Sequence, residues 1–272
     1  MTPISIAAEP LFQIGNFPVT NSILTAWIVI AIFLIGGLLI RSKANLQPKG
    51  IIAFFDWLIE SALREVEKIV GDRERAKRFF PICGSLFFFI LISNWMGLLP
   101  GVGSIGINAL HAGKIELIPL FRPATSDLNF TLAIAAFSVL ATHFFGILAI
   151  GFITHVSKFL NIRGIILAFR QGPMQVIVSI VEFFVGLIES VGEVAKMVSL
   201  ALRLFGNIFA GEVLLTVMYS LVSFFAPLPF IFLELLVGAI QATVFAILVL
   251  VFLKSSTEGH AENEHGELKS EN

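Results

Sequence analysis

Five long apolar stretches dominate this sequence of 272 residues. They run over about 23–40, 79–99, 129–159, 174–225 and 229–254, and a helix that crosses a bilayer needs about 20 mainly apolar residues. The composition agrees, because only 14% of the residues are charged, whereas a soluble domain carries about 25%. The sequence therefore predicts an all-α integral membrane protein with five membrane-embedded segments, and it excludes a water-soluble enzyme and a disordered protein.

Charge, cysteine content and motifs exclude further classes. The net charge of -1 gives no positive excess for binding nucleic acid. The single cysteine, Cys83, cannot form an internal disulfide. Residues 101–106 match the G-x-G-x-x-G pattern, but they follow an apolar stretch rather than a strand, so a flexible turn is favoured over a nucleotide site. No cofactor and no metal site are predicted.

The distribution of Lys and Arg predicts how the chain is oriented, because basic loops stay in the cytoplasm. The segment 41–78 carries nine Lys and Arg residues, whereas the next loop, 100–128, carries only Lys114 and Arg122. This indicates an N-terminus outside (tail 1–22), a cytoplasmic C-terminus (polar acidic tail 255–272) and channel-forming helices over 79–254. All 272 residues are assigned to one membrane domain.

The stretch between the first two apolar segments has a different pattern. Over 51–70, Asp56, Glu60, Arg64 and Lys68 recur every four residues and form one polar stripe. This spacing predicts an amphipathic helix that lies along the cytoplasmic membrane surface.

Polar residues inside the last two apolar segments carry the functional signal. A charge at the bilayer centre costs about 2.5–3.5 kcal/mol on insertion scales, so each is a functional hypothesis by default. The fourth segment holds Glu182, Glu189, Glu193, Lys196, Arg203, Asn207 and Glu212, and the fifth holds Glu234 and Gln241.

Helical spacing indicates which of these residues share a face. Intervals of seven, seven and four residues put Glu189, Lys196, Arg203 and Asn207 on one stripe. Small residues accompany them there and leave room for a partner helix: Gly192, Ser199, Gly206 and Ala210. Glu212 points nearly the opposite way.

The residue types suggest ion transfer but leave alternatives open. Arg203 keeps its proton and can only attract, repel or hold a carboxylate, whereas buried carboxylates can exchange protons near neutral pH. Two carboxylate-lined half-paths separated by Arg203 would fit, with Glu189 and Lys196 inside and Glu212 and Glu234 outside. An ion pair between Arg203 and Glu234 that only joins two helices would fit too. For His143 in the third segment, packing and a place in a proton path are equally favoured.

Four stretches resemble the a subunits of F-type ATP synthases. The most specific is Ser199–Glu212 (SLALRLFGNIFAGE). The others agree in order: Asn94–Pro100 (NWMGLLP), Asp127–Thr131 (DLNFT) and Leu233–Ala242 (LELLVGAIQA). The resemblance covers about 27–253.

The resemblance implies a non-catalytic stator subunit that translocates protons beside a ring of c subunits, together with peripheral-stalk b subunits and the rest of the complex. It implies that the last two helices are long, tilted and antiparallel. Arg203 would face the ring carboxylate, with Asn207 and Gln241 beside it. Asp127, Glu212 and Glu234 would line the outer half-channel, and Glu189 the inner one. Glu234 stands where several bacterial members have His, and Met197 stands where many have Pro.

Other interpretations follow from the same residues. A secondary transporter could use Arg203 to bind an anionic substrate, although such transporters usually show internal repeats, and none is evident. A membrane anchor would tolerate substitution of its intramembrane charges. The expected location is a bacterial plasma membrane or, for an organelle-encoded copy, an organelle membrane. Proton and sodium both stay open as the coupled ion.

Overall fold

The computed structural model describes residues 8–43, 50–99, 105–111, 114–159, 173–221, 225 and 227–257. Five of the described helices are long and apolar enough to cross a membrane, which confirms the predicted number of spans. They are α1 (Asn21–Lys43), α3 (Arg73–Met96), α4 (Leu128–Ile150), α6 (Pro173–Leu221) and α7 (Pro227–Thr257). The chain is a multi-pass, mainly α-helical membrane protein.

The chain divides into two compact units. The first comprises Met1–Ala133 and Ala201–Leu248, and the second comprises Ile134–Leu200 and Val249–Asn272. The helices α4, α6 and α7 contribute residues to both.

Two β-hairpins were not predicted from the sequence, and both belong to the first unit. β1 (Pro10–Ile14) pairs with β2 (Phe17–Thr20) inside the segment treated as an external tail. β3 (Gly106–His111) pairs with β4 (Lys114–Pro119) between α3 and α4. Gly106 therefore begins a strand, while 101–104 of the predicted turn lie outside the described residues. Both pairs are antiparallel, and all four strands are short.

The predicted amphipathic helix is confirmed as α2 (Ile51–Val70). It ends at Gly71, whose φ of 84° lies in the left-handed region that glycine adopts without strain. Asp72 then starts α3, because its carboxylate accepts hydrogen bonds from the backbone N–H groups of Glu74 and Arg75.

Ion pairs join the end of α2 to the start of α3. The Arg73 guanidinium lies 2.9 Å from Glu60 Oε1 and 2.8 Å from Glu67 Oε2. The hydrogen bond from Arg73 lowers the pKa of the Glu60 carboxyl group. At pH values above the ordinary carboxyl pKa, the ion pair between Arg73 and Glu60 contributes fully to holding α2 against α3. This contribution is lost as the pH falls through the lowered pKa of Glu60.

The predicted third segment, 129–159, is two helices rather than one. α4 ends at Ile150 and α5 (Phe152–Phe159) begins after Gly151, whose φ is 85°. Since a left-handed residue cannot continue a right-handed helix, the chain turns there. Apolar composition alone does not reveal this break.

The helix α6 contains 49 residues, more than twice the roughly 20 that cross a bilayer. Met197, where a proline would have interrupted the hydrogen-bond ladder, lies within the helix. The acidic tail beyond Thr257 lies outside the described residues.

Candidate functional site

Arg203 lies on an exposed face of α6 in the first unit. Its neighbours along the predicted stripe, Ser199, Gly206 and Asn207, are exposed as well. A Cβ atom built on Gly206 meets nothing within 4 Å. Among the described residues, no carboxylate forms an ion pair with Arg203, so the alternative pairing with Glu234 is not found there.

Asn207 joins this face to α7. Its Nδ2 donates a hydrogen bond of 2.7 Å to Oε1 of Gln241. Gln241 is 4% exposed, so the amide pair lies at the edge of the exposed face, one helical turn from Arg203. A neutral side-chain pair of this kind fixes the two helices without neutralising the guanidinium.

Glu234, Gly238 and Gln241 share a buried face of α7, as their spacing predicted. Asn94 Nδ2 donates to the Gly238 carbonyl at 3.2 Å, and Trp95 Nε1 donates to the Leu235 carbonyl at 3.1 Å. These bonds hold the end of α3 against α7 beside Glu234.

The Glu234 carboxylate fills the space above a glycine. It is 8% exposed and makes no ion pair in the part of the chain that the structure describes. It contacts Gly211 so closely that a Cβ atom at Gly211 would overlap the carboxylate. Gly211 therefore positions the acid group against α6.

Glu212, the other intramembrane carboxylate predicted for the outer half-channel, has a charged partner. Arg122 Nε donates to Glu212 Oε2 at 3.1 Å and lies 3.1 Å from Oε1 as well. The Arg122 side chain is 4% exposed and that of Glu212 is 24% exposed. The Arg122 guanidinium also lies 5.9 Å from the centre of the Phe209 ring. The two carboxylates thus differ, since Glu212 is ion-paired, whereas Glu234 has no ion-pair partner within the described parts of the chain.

Asp127 lies directly before the first residue of α4. Its Oδ1 accepts from the backbone N–H of Asn129 at 2.9 Å, and its Oδ2 accepts from Ser22 Oγ at 3.0 Å. It is 6% exposed. The carboxylate therefore ties α1 to the start of α4, whatever further role it has.

The other two predicted residues, Glu189 and Lys196, lie in the second unit. They line a cavity of about 50 Å³ together with His143, His155 and Glu193. Lys196 Nζ donates to Glu193 Oε1 at 2.7 Å, and His143 Nε2 lies 3.9 Å from Glu193 Oε2. The cavity holds a dense set of groups that can exchange protons.

Sequence reasoning missed Arg122 as a functional residue and did not consider His155. In the sequence, Arg122 is distinguished only as one of two basic residues in the loop 100–128, and its partner Glu212 lies 90 positions later. His155 gave no signal, since it lies 12 residues from the histidine it contacts.

Replacing Arg122 by glutamine is expected to destabilise the chain by about 3 kcal/mol, because one partner of a buried ion pair remains uncompensated. The measurement is the thermal unfolding temperature of the detergent-solubilised protein. The double variant Arg122→Gln with Glu212→Gln should recover part of the loss. Equal loss in the single and double variants would show that the pairing itself contributes nothing.

Comparisons with known proteins agree on one family. The family described as ATP synthase A chain matches residues 23–254. The chain is 28% identical over 250 residues to ATP synthase subunit a of Moorella thermoacetica, covering 92% of this chain and 96% of the relative. It is 31% identical to the ATP synthase subunits a of Trichlorobacter lovleyi (88% and 87% covered) and Geobacter sulfurreducens (88% of each). The chain therefore belongs to the ATP synthase A chain family.

Proposed function

We propose that this chain is the proton-translocating stator subunit of a rotary F-type ATP synthase. In this role it performs no ATP chemistry itself. It supplies two offset half-channels to the carboxylates of a c-subunit ring, and Arg203 separates them. The observation that supports this most is that Arg203 is exposed and has no ion-pair partner among the described residues.

The argument from Arg203 is electrostatic. A guanidinium in a membrane-length helix costs several kcal/mol if only lipid surrounds it. Among the described residues, none pairs with it, so the compensating charge is expected from another chain. A carboxylate on a neighbouring helix fits, because Ser199 and Gly206 leave room for close approach.

In this proposal Arg203 acts as a fixed positive charge. A protonated ring carboxylate that approaches it loses its proton, since the charged form of the acid is favoured beside a cation. The guanidinium itself never deprotonates. Protons therefore cannot pass Arg203 directly, and the ring must carry them around.

The outer half-channel is assigned to Asp127, Glu212 and Glu234, with Asn207 and Gln241 beside the transfer point. Glu234 is the proposed proton carrier of this set, because no charged group pairs with it among the described residues. Glu212 forms an ion pair with Arg122 and so keeps the side chains along the half-channel in place. The inner half-channel is assigned to Glu189 and Lys196, which line a polar cavity.

The assignment includes partners and location. The ring carries the transported proton, and peripheral-stalk b subunits hold the stator against it. The N-terminus is placed outside and the C-terminus in the cytoplasm, since segment 41–78 carries most of the basic residues. The membrane is the plasma (inner) membrane of a bacterium.

Disulfide crosslinking tests this arrangement. The native chain has one cysteine, the buried Cys83, so any crosslink from this chain can be attributed to the introduced cysteine. Ser199→Cys on the exposed face is expected to crosslink to a cysteine placed beside the ring carboxylate of the small subunit. The matched control is Ala201→Cys, because Ala201 is 1% exposed. Equal crosslinking at both positions, or none at Ser199, would contradict the proposed ring contact.

A further inference from the structure

The second unit contains a pair of histidines that the proposed half-channel does not use. His143 Nδ1 and His155 Nε2 are 3.1 Å apart, within hydrogen-bonding distance. One of these nitrogens must carry the proton that the other accepts. His155 is 4% exposed, so the contact is held inside the protein rather than on its surface.

The other nitrogen of His143 faces a carboxylate. His143 Nε2 lies 3.9 Å from Glu193 Oε2, a gap that a bridging water or a small ring rotation closes. Lys196 Nζ donates a hydrogen bond of 2.7 Å to the other carboxylate oxygen of Glu193, Oε1. The imidazole of His143 thus lies between a carboxylate and a second imidazole, with one ring nitrogen toward each.

This geometry suits proton relay. An imidazole can accept a proton at one nitrogen and release another from the opposite nitrogen, and it does so near neutral pH.

The surrounding cavity has room for water, and its lining defines the charged groups involved. It has a volume of about 50 Å³, and one water needs roughly 10–15 Å³ measured in this way. Its titratable lining groups are His143 on α4, His155 in the first turn of α5, and Glu189, Glu193 and Lys196 on α6. From α7 it receives only the uncharged Phe252, Ser255 and Ser256.

We propose that Glu193, His143 and His155 form the proton-release relay of the inner half-channel, at its cytoplasmic mouth. This rests on the proposed function, which places α5 and the end of α7 on the cytoplasmic side. A proton on Glu193 Oε2 passes to His143 Nε2, and the proton on His143 Nδ1 passes to His155 Nε2. His155 then releases the proton on its Nδ1, which is buried, to water in the cavity that the ring lines. Each ring resets when its remaining proton moves back from Nε2 to Nδ1.

Close packing around His155 keeps the relay aligned. A Cβ atom at Gly146 would lie 2.7 Å from His155 Cε1 and 2.9 Å from the Ser256 carbonyl oxygen. Both distances are too short for real contacts, so Gly146→Ala must displace the imidazole. This variant disturbs the alignment while both histidines remain.

The experiment measures passive proton flux in inverted vesicles whose catalytic sector has been removed, with a potassium diffusion potential as the driving force. His155→Gln is expected to lower the flux about tenfold, a modest part of the 10²–10⁴ that positioned acids and bases contribute. Gly146→Ala should lower it as well. Imidazole added to the exposed cytoplasmic face should restore flux in His155→Gln, whereas Ser157→Ala, on the same short helix, should behave like the native chain.

Two results would overturn the relay. Native flux in His155→Gln would show that the pair carries no protons. Reduced flux that imidazole does not restore would show that His155 only packs. If complexes carrying His155→Gln fail to assemble, the same flux measurement on His143→Gln, with and without imidazole, decides between a relay and a packing role. Arg203→Ala, assayed alongside for ATP-driven pumping, separates the two claims: native pumping there refutes the proposed function, whereas its loss with native flux in His155→Gln refutes only the relay.

Discussion

Replacing Arg203 by alanine is expected to abolish ATP synthesis driven by an imposed proton gradient. The variant loses the fixed charge that would make the ring carboxylate release its proton, and preorganised charges of this kind are worth about 10²–10³ in rate. We therefore expect synthesis to fall at least about a hundredfold, with the ring and stator still assembled. The measurement is ATP formation in vesicles after an acid–base jump.

Two variants serve as controls for Arg203. Leu202→Ala changes the neighbouring side chain, which is 51% exposed, and should leave synthesis close to native. Arg203→Lys keeps a positive charge but offers a compact group that can lose its proton when desolvated, so it should not restore full activity. Native synthesis in Arg203→Ala would refute the ion-transfer role, and an equal loss in Leu202→Ala would attribute the effect to disturbed packing.

Replacing Glu234 by glutamine is expected to slow proton entry from outside by about tenfold or more. An amide of the same shape cannot carry a proton between water and the ring, and positioned acid–base groups contribute roughly 10²–10⁴. Water molecules in the path take over part of the proton transfer that the carboxyl group performs, so some proton flux is expected to remain. The measurement is passive proton flux through the membrane sector with its catalytic part removed.

The neighbouring glycine provides a second way to disturb Glu234. Gly211→Ala keeps the carboxyl group but displaces it, since the added methyl group would overlap it, and it should slow flux in the same direction. The control is Glu182→Gln, an exposed carboxylate earlier on α6 that the proposed path does not use. If Glu234→Gln conducts protons at the native rate, Glu234 is not the outer carrier and Glu212 takes its place.

Much of the fold was predictable because lipid imposes a simple rule on sequence. A span must be apolar for about 20 residues, and the five apolar stretches follow this rule. The amphipathic period of α2 could likewise be recognised in the sequence. The break at Gly151 was not predictable, since it depends on one backbone dihedral. The hairpin of β3 and β4 was not predicted either, because each strand has only six residues and neither shows strict alternation of apolar and polar residues.

The candidate site was predictable where it depends on helical spacing alone. The shared face of Glu234, Gly238 and Gln241 follows from intervals along one helix, and so does the stripe that holds Arg203. Contacts between distant segments were beyond such reasoning. The pairing of Arg122 with Glu212 spans 90 residues, and only the folded chain brings the two charges together. The same holds for Asn207 and Gln241, which lie 34 residues apart.

The central claim is that Arg203 acts at the ion-transfer step, and ATP-driven acidification of inverted vesicles tests it most directly. Vesicles carrying the native chain or Arg203→Ala are compared after equal amounts of assembled complex have been verified. The account predicts that native vesicles acidify on addition of ATP and that the variant vesicles do not. Acidification at the native rate by assembled Arg203→Ala complexes would contradict it and would leave the arginine a dispensable surface charge.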